Sequence, residues 1–192
     1  MALTYLFWGS ICAYLLFTLF FTTGLHRLRK NNTPKYIPKV SVVVAARNEA
    51  DTLQELLNDL VQQDYPKGKL DITIISDRSM DRTWNIIQDY SQLHPTVQGI
   101  RIENTDSQMT PKKRALTRGI EKTKGDVIIS TDGDCSVPIG WIRSMVEAFD
   151  DDTGIVVGRS TIDTTNPSFL HFYQGLDFLG IMGLTGQFRW KE

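Results

Sequence analysis

The chain has 192 residues, enough for one domain with a sizeable core plus a terminal segment of different character. Its 21 basic and 22 acidic residues leave a formal charge of −1, which excludes a general electrostatic attraction to nucleic acid. Cys12 and Cys135 sit in unlike surroundings and exclude a disulfide framework, and the histidines at 26, 94 and 171 have no metal-ligand spacing.

From Met1 through Leu25 no side chain is charged, and Leu, Phe, Tyr and Trp dominate. Roughly 20 apolar residues cross a hydrocarbon core of about 30 Å, so residues 1–25 are expected to form a transmembrane helix. A cleaved secretory signal is the competing reading, but it carries a basic region ahead of its apolar stretch and none precedes this one. The basic residues follow instead: Arg27, Arg29, Lys30, Lys35 and Lys39. That asymmetry predicts a single-pass protein of the cell membrane with its main domain cytoplasmic. Residues 26–39 form a basic linker, broken by Pro34 and Pro38, that suits anionic headgroups.

After Pro38 the periodicity alternates. Residues 40–46 make a continuous apolar strand, as expected of one covered on both faces. Asn48 is expected to cap a helix, with Asp51 in its first turn. Leu53, Leu56, Leu57, Leu60 and Val61 fall on one helical stripe, broken by residues 65–68. A strand over 70–76, a helix over 81–90 closed by His94-Pro95, and a short strand over 97–102 follow. Thr110-Pro111 starts a helix whose apolar side is Ala115, Leu116 and Ile120. A strand over 126–131 comes next, and Pro138 opens a last helix with Ile142, Met145, Val146 and Phe149 on one face. Strand–helix alternation with short connections predicts an α/β fold: a mostly parallel sheet with helices on both faces. Ligands of such sheets gather beyond the strands' carboxyl ends.

The most informative of those ends is residues 126–134, Asp-Val-Ile-Ile-Ser-Thr-Asp-Gly-Asp. Asp132 and Asp134 are two apart, so in extended backbone both point to one side, while Gly133 removes a side chain between them. Two hard oxygen ligands there suit Mg²⁺ or Mn²⁺ that also holds a substrate's phosphates. The alternative is an Asp-Gly hairpin. Residues 135–138, Cys-Ser-Val-Pro, lack the apolar alternation that a returning strand needs.

Other strand ends carry further candidates. Glu49 can accept bonds from a ribose hydroxyl or a base, or can serve as a first-turn acid. Asp77 ends its strand ahead of Asp81, and its carboxylate can accept a nucleobase N–H; Asp81 reads as a helix cap. Of Lys112, Lys113, Arg114, Arg118, Lys122 and Lys124, most read as a solvated helix face, and Lys112 is placed to reach a diphosphate at the helix start. Glycine-rich phosphate loops and a nucleophilic triad are absent, which moves phosphate binding onto a metal.

Taken in order, residues 40–49 (Val-Ser-Val-Val-Val-Ala-Ala-Arg-Asn-Glu), 63–66 (Gln-Asp-Tyr-Pro), 74–83 (Ile-Ile-Ser-Asp-Arg-Ser-Met-Asp-Arg-Thr), 112–116 (Lys-Lys-Arg-Ala-Leu) and 131–134 (Thr-Asp-Gly-Asp) resemble family 2 glycosyltransferases. The resemblance covers about residues 40–165. It implies a GT-A (Rossmann-like) fold and an inverting enzyme that uses a nucleotide-sugar donor, with UDP the expected nucleotide. It further implies that Asp77 contacts the base, that Glu49 and Lys112 line the donor pocket, and that Asp132 and Asp134 form the DxD metal–diphosphate motif. A membrane anchor ahead of the catalytic domain is similar to many members, and a glycan or lipid is the implied acceptor. The family's general base and its Gln-x-x-Arg-Trp motif are expected downstream of this chain, which then reads as a truncated, donor-binding half. Residues 187–190, Gln-Phe-Arg-Trp, are one residue short of that motif.

Residues 166–192 read as an apolar C-terminal helix in which Phe169, Phe172, Tyr173, Leu176 and Leu179 share a face, packed on the core or lying in a membrane interface. Two other functions compete. One is a non-catalytic nucleotide-binding or regulatory module at the membrane. The other is a nucleotidyltransferase, which would need a glycine-rich loop where Ala-Ala-Arg-Asn-Glu stands.

Overall fold

A computed structural model describes residues 1–27, 37–103, 109–149, 153–158, 160 and 173–175; the side chains at 3, 21–22 and 24–27 are outside that description. Most of the expected linker and of the expected C-terminal helix therefore lies outside the described residues. The chain divides into two units, one of Met1–Thr33 with Glu147–Glu192 and one of Pro34–Val146.

In the first unit, α1 runs over Ala2–Arg27 without a break. Tyr5, Leu6, Phe7, Trp8, Tyr14, Leu15 and Leu16 are exposed along it. Thr18 and Thr23 return their hydroxyls to backbone carbonyls of the preceding turn, which lets polar side chains sit on an apolar helix. Among the described residues, no helix is long and apolar enough to cross a membrane. The transmembrane helix expected over 1–25 is thus unsupported as a span. Thr4, Gly9, Ser10, Thr18 and Thr23 dilute the apolar run, and what remains is a long helix with much exposed apolar surface.

The second unit is built on β1 (Val40–Ala46), β2 (Leu70–Asp77), β3 (Val97–Ile102) and β4 (Val127–Asp132). Every pairing is parallel, in the order β3-β2-β1-β4. Val40 faces both Leu70 and Val127 in register, and Ile72 faces Val97. Val40, Val42, Val44 and Ala46 point to one face of β1, and Val43 and Ala45 to the other, as the two-residue period of a strand requires. The first face packs under α2 (Leu53–Val61), α3 (Thr83–Leu93) and α5 (Trp141–Glu147) through Leu53, Leu56, Leu57, Leu60, Ile87, Ile142 and Val146. Burying each such side chain stabilises the fold by about 1.5–3 kcal/mol. The second face packs under α4 (Pro111–Ile120) through Val43, Ile75 and Ala115. The mostly parallel sheet with helices on both faces is as expected.

Helix α4 lies close to the sheet because residue 119 is glycine. A Cβ there would stand 2.5 Å from both Ile75 Cδ1 and Val43 Cγ1. The close approach rotates the contact side toward small residues. Ala115 and Gly119 are buried, whereas Ile120, expected on the apolar side, is exposed. Two further expectations change. Asn48 does not cap α2, whose N-cap is Thr52; it adopts φ 55° and its side-chain oxygen accepts from the Met80 N–H. A short carboxamide tolerates that left-handed backbone, and the bond joins the loops after β1 and β2. Pro138 lies in a turn, its carbonyl accepting from the Trp141 N–H, and α5 begins at Trp141.

Order within the sheet fixes where a ligand fits. From β1 the chain steps outward to β3, then returns to place β4 on the other side of β1. Crossovers diverge at that reversal and leave a crevice beyond the carboxyl ends of β1 and β4.

Candidate functional site

A cleft of about 210 Å³ occupies that crevice. Ala45, Ala46, Arg47 and Glu49 line it from the end of β1, Asp77 from β2, Pro111, Lys112 and Ala115 from the start of α4, and Asp132 and Asp134 from the end of β4. All five candidates named from sequence (Glu49, Asp77, Lys112, Asp132 and Asp134) meet there. A larger and more open depression of about 330 Å³, bounded by Trp84, Gln88 and Gly99, has no charged lining residue, so the chemistry belongs to the former.

At the mouth of the cleft, Lys112 places its ammonium on both oxygens of Asp132, at 2.7 Å and 2.9 Å. The hydrogen bond to Asp132 is the main cause of a raised Lys112 pKa, opposed by partial desolvation and helped by Asp134 and Glu49. Both partners are more than half exposed, so the pair itself adds at most about 1 kcal/mol to stability. Asp134 accepts a weak contact from the Cys135 thiol at 3.8 Å. The sequence puts Lys112 here because Thr110-Pro111 starts α4, as expected, and exposes the helix's second residue to the strand ends.

Behind the two aspartates stands Glu49. Its N–H donates to the Thr83 hydroxyl, and Asp81 accepts from the Thr83 N–H and hydroxyl and from the Ala50 N–H. Asp81, expected as the helix cap, stands one residue ahead of the N-cap Arg82; it braces the first residue of α3 and ties the β1 loop to that helix. Glu49 Oε2 is buried without a hydrogen-bond partner, and a Cβ at position 133 would collide with it. Burial, then Asp134 and Asp132, raise the Glu49 pKa. Gly133 is thus glycine because the carboxyl packs against its Cα.

Among the described residues, no group of three or more His, Cys, Asp or Glu side chains gathers around one point. Mg²⁺ and Mn²⁺ bound with a diphosphate draw one or two protein carboxylates and take their other oxygens from phosphate and water. Asp132 and Asp134 at the strand end, with the orphaned Glu49 oxygen behind them, fit that pattern.

The inner end is different. Asp77 is 2% exposed and already bonded. One oxygen accepts from Arg78 Nε at 2.8 Å and the other from Arg114 at 2.6 Å. Arg114 is itself buried, its Nε without a hydrogen-bond partner. It does not belong to the solvated face expected for most of the basic run, which Lys113 and Arg118 do occupy. Sequence reasoning missed it because cations rarely sit on a helix's packed side; its trace was its place beside Ala115. Ala45, Ala46, Pro111 and Ala115, all with small side chains, line the cleft together with Asp77.

Arg114→Met should cost about 3 kcal/mol in urea unfolding, because it strips one partner from a buried carboxylate. Adding Asp77→Asn should recover part of that loss. A second expectation concerns pH. A carboxylate whose folded pKa is raised contributes stability that is complete below its unfolded value and lost as pH rises through the folded value. In metal-free protein, Glu49→Gln should therefore be more stable than the parent at neutral pH. That advantage should vanish as pH falls below the ordinary value of 4.5. Denaturant midpoints across pH check it, and equal midpoints at neutral pH would contradict the burial argument.

Residues 41–190 match the family described as Glycosyl transferase family 2. The glycosyltransferase AglE of Haloferax volcanii is 30% identical over 132 residues, covering 69% of this chain and 42% of the relative. A beta-monoglucosyldiacylglycerol synthase of Nostoc is 30% identical over 175 residues, covering 84% of this chain and 36% of the relative. The chain thus spans about two fifths of these relatives' length. Among solved structures, a mannosyltransferase from Pyrobaculum calidifontis in complex with GDP-Man and Mn²⁺ superposes with a TM-score of 0.62 at 24% identity, covering 76% of this chain and 43% of that one. That likeness carries the fold, and the match over most of the chain carries the kinship: this protein belongs to glycosyl transferase family 2.

Proposed function

We propose that the cleft binds a nucleotide-sugar donor, with UDP the expected nucleotide, together with Mg²⁺ or Mn²⁺, and that the protein transfers the sugar to a glycan or lipid acceptor. The observation that carries this reading is the meeting of Asp132, Asp134, Lys112 and Glu49 at the strand-order reversal of a family 2 sheet. Asp132 and Asp134 would hold the metal, which supplies Lewis-acid neutralisation of the departing diphosphate. Lys112 and the amino end of α4 supply positive charge to the same diphosphate. The short side chains of Ala45, Ala46, Pro111 and Ala115 admit a flat base, and Asp77, fixed by its arginines, offers its remaining lone pairs at that end. None of the cleft carboxylates is assigned as general base. Asp77 is committed to arginines, Asp132 and Asp134 to the metal, and Glu49 is packed behind Gly133.

The relatives support the same reading: one is named a glycosyltransferase and another a beta-monoglucosyldiacylglycerol synthase. Calorimetry tests it. UDP or GDP with Mn²⁺ should bind, and Asp132→Ala or Asp134→Ala should weaken that binding at least about tenfold, the loss of one charge-assisted metal ligand. Nucleotide binding that ignores both substitutions would sink the metal–diphosphate reading.

We also propose that α1 holds the protein at the cell membrane, with the α/β unit on the cytoplasmic side. Support comes from the uncharged run up to Leu25, the exposed aromatic and aliphatic side chains of α1, and the basic residues that follow it. The chain should sediment with membranes, and deletion of residues 1–27 should release it; a full chain that stays in the supernatant would overturn the anchoring.

A further inference from the structure

We infer that Lys112 is the resident cation of the metal site: its ammonium neutralises Asp132 until a metal–diphosphate complex displaces it, so that metal enters with the nucleotide and not ahead of it. This rests on the donor-site reading above and adds an order of binding to it.

Three observations lead there. The ammonium lies on both oxygens of Asp132, at 2.7 Å and 2.9 Å, so a divalent ion that uses this carboxylate must take at least one oxygen from Lys112. The pair is open to solvent, with side-chain exposures of 62% and 51%, so the exchange is inexpensive and quick. Finally, Lys112 is the second residue of α4, whose unpaired N–H groups form an anion-binding end, so the displaced ammonium has a nearby place to go when a diphosphate is present.

Charge decides which arrival displaces it. A bare divalent ion brings two positive charges against the ammonium and offers it no anion in exchange for Asp132, and like charges a few ångströms apart repel. A divalent ion already bound to a nucleoside diphosphate brings net negative charge, which draws the ammonium off Asp132 and onto the phosphate. Lys112 therefore opposes the first and favours the second. A lysine serving merely as a phosphate contact would leave the bare ion's affinity unchanged.

The opposite signs make the test. Mn²⁺ alone, followed by electron paramagnetic resonance, should bind Lys112→Met about thirtyfold more tightly than the parent, the size expected on removing a unit charge about 4 Å from a divalent ion in water. UDP and GDP, each titrated at saturating Mn²⁺, should bind Lys112→Met about fivefold more weakly, because their metal complexes carry about one net negative charge. Lys113→Met, one residue along on the exposed face, should move neither value. If Lys112→Met leaves the affinity for Mn²⁺ alone unchanged or lowers it, while the parent still binds Mn²⁺ with nucleotide, the resident-cation role is overturned and the donor site survives. If the parent binds neither nucleotide with Mn²⁺, the donor site itself falls.

Discussion

The buried ion pair between Asp77 and Arg114 is the contact on which the arrangement of the cleft depends. It joins the last residue of β2 to the first turn of α4, and so sets the height of that helix over the strand ends. Gly119 lets the same helix settle onto Val43 and Ile75 further along, so α4 is fixed at two points with Lys112 projecting at its start. Removing two charges from water costs several kcal/mol, which a well-formed pair repays only in part. Its value here is positional. An apolar substitute could hold the helix as firmly, but would leave the inner end of the cleft without charge.

Around that anchor, the polar loops make a second layer of constraint. Asp81 collects Thr83 and Ala50, Thr83 in turn receives the Glu49 N–H, and Asn48 reaches Met80. These bonds cross between the loops after β1 and β2, so Glu49 is held by its neighbours on both sides. The consequence is a carboxyl pressed against the glycine of Asp132-Gly133-Asp134, and a mouth where three acids face one lysine.

Much of this was legible beforehand, for identifiable reasons. The continuous apolar run at 40–46 and the leucine stripe from 53 to 60 announce a two-sided sheet and its cover, because burial on two faces erases alternation. Val97–Ile102 and the Thr110-Pro111 start fall where chain chemistry places them. What escaped was non-local. Nothing near Arg114 in the chain signals that Asp77 lies opposite it, 37 residues away. Asn48 carries the composition of a cap but is drawn off by Met80 on a neighbouring loop. The amino-terminal run reads as a span by its lack of charge, whereas its threonines, serine and glycine lower its apolar content.

Asn48 and Arg78 both adopt φ 55°, a region that costs a side-chain-bearing residue about 1–3 kcal/mol. Each turns the chain sharply where a sheet strand gives way to a loop beside the cleft. A designer seeking a hardier scaffold would find relief by putting glycine at either place. The same change would cut the Asn48 clasp or the Arg78 grip on Asp77, so thermal robustness and a well-shaped cleft pull these two positions in opposite directions.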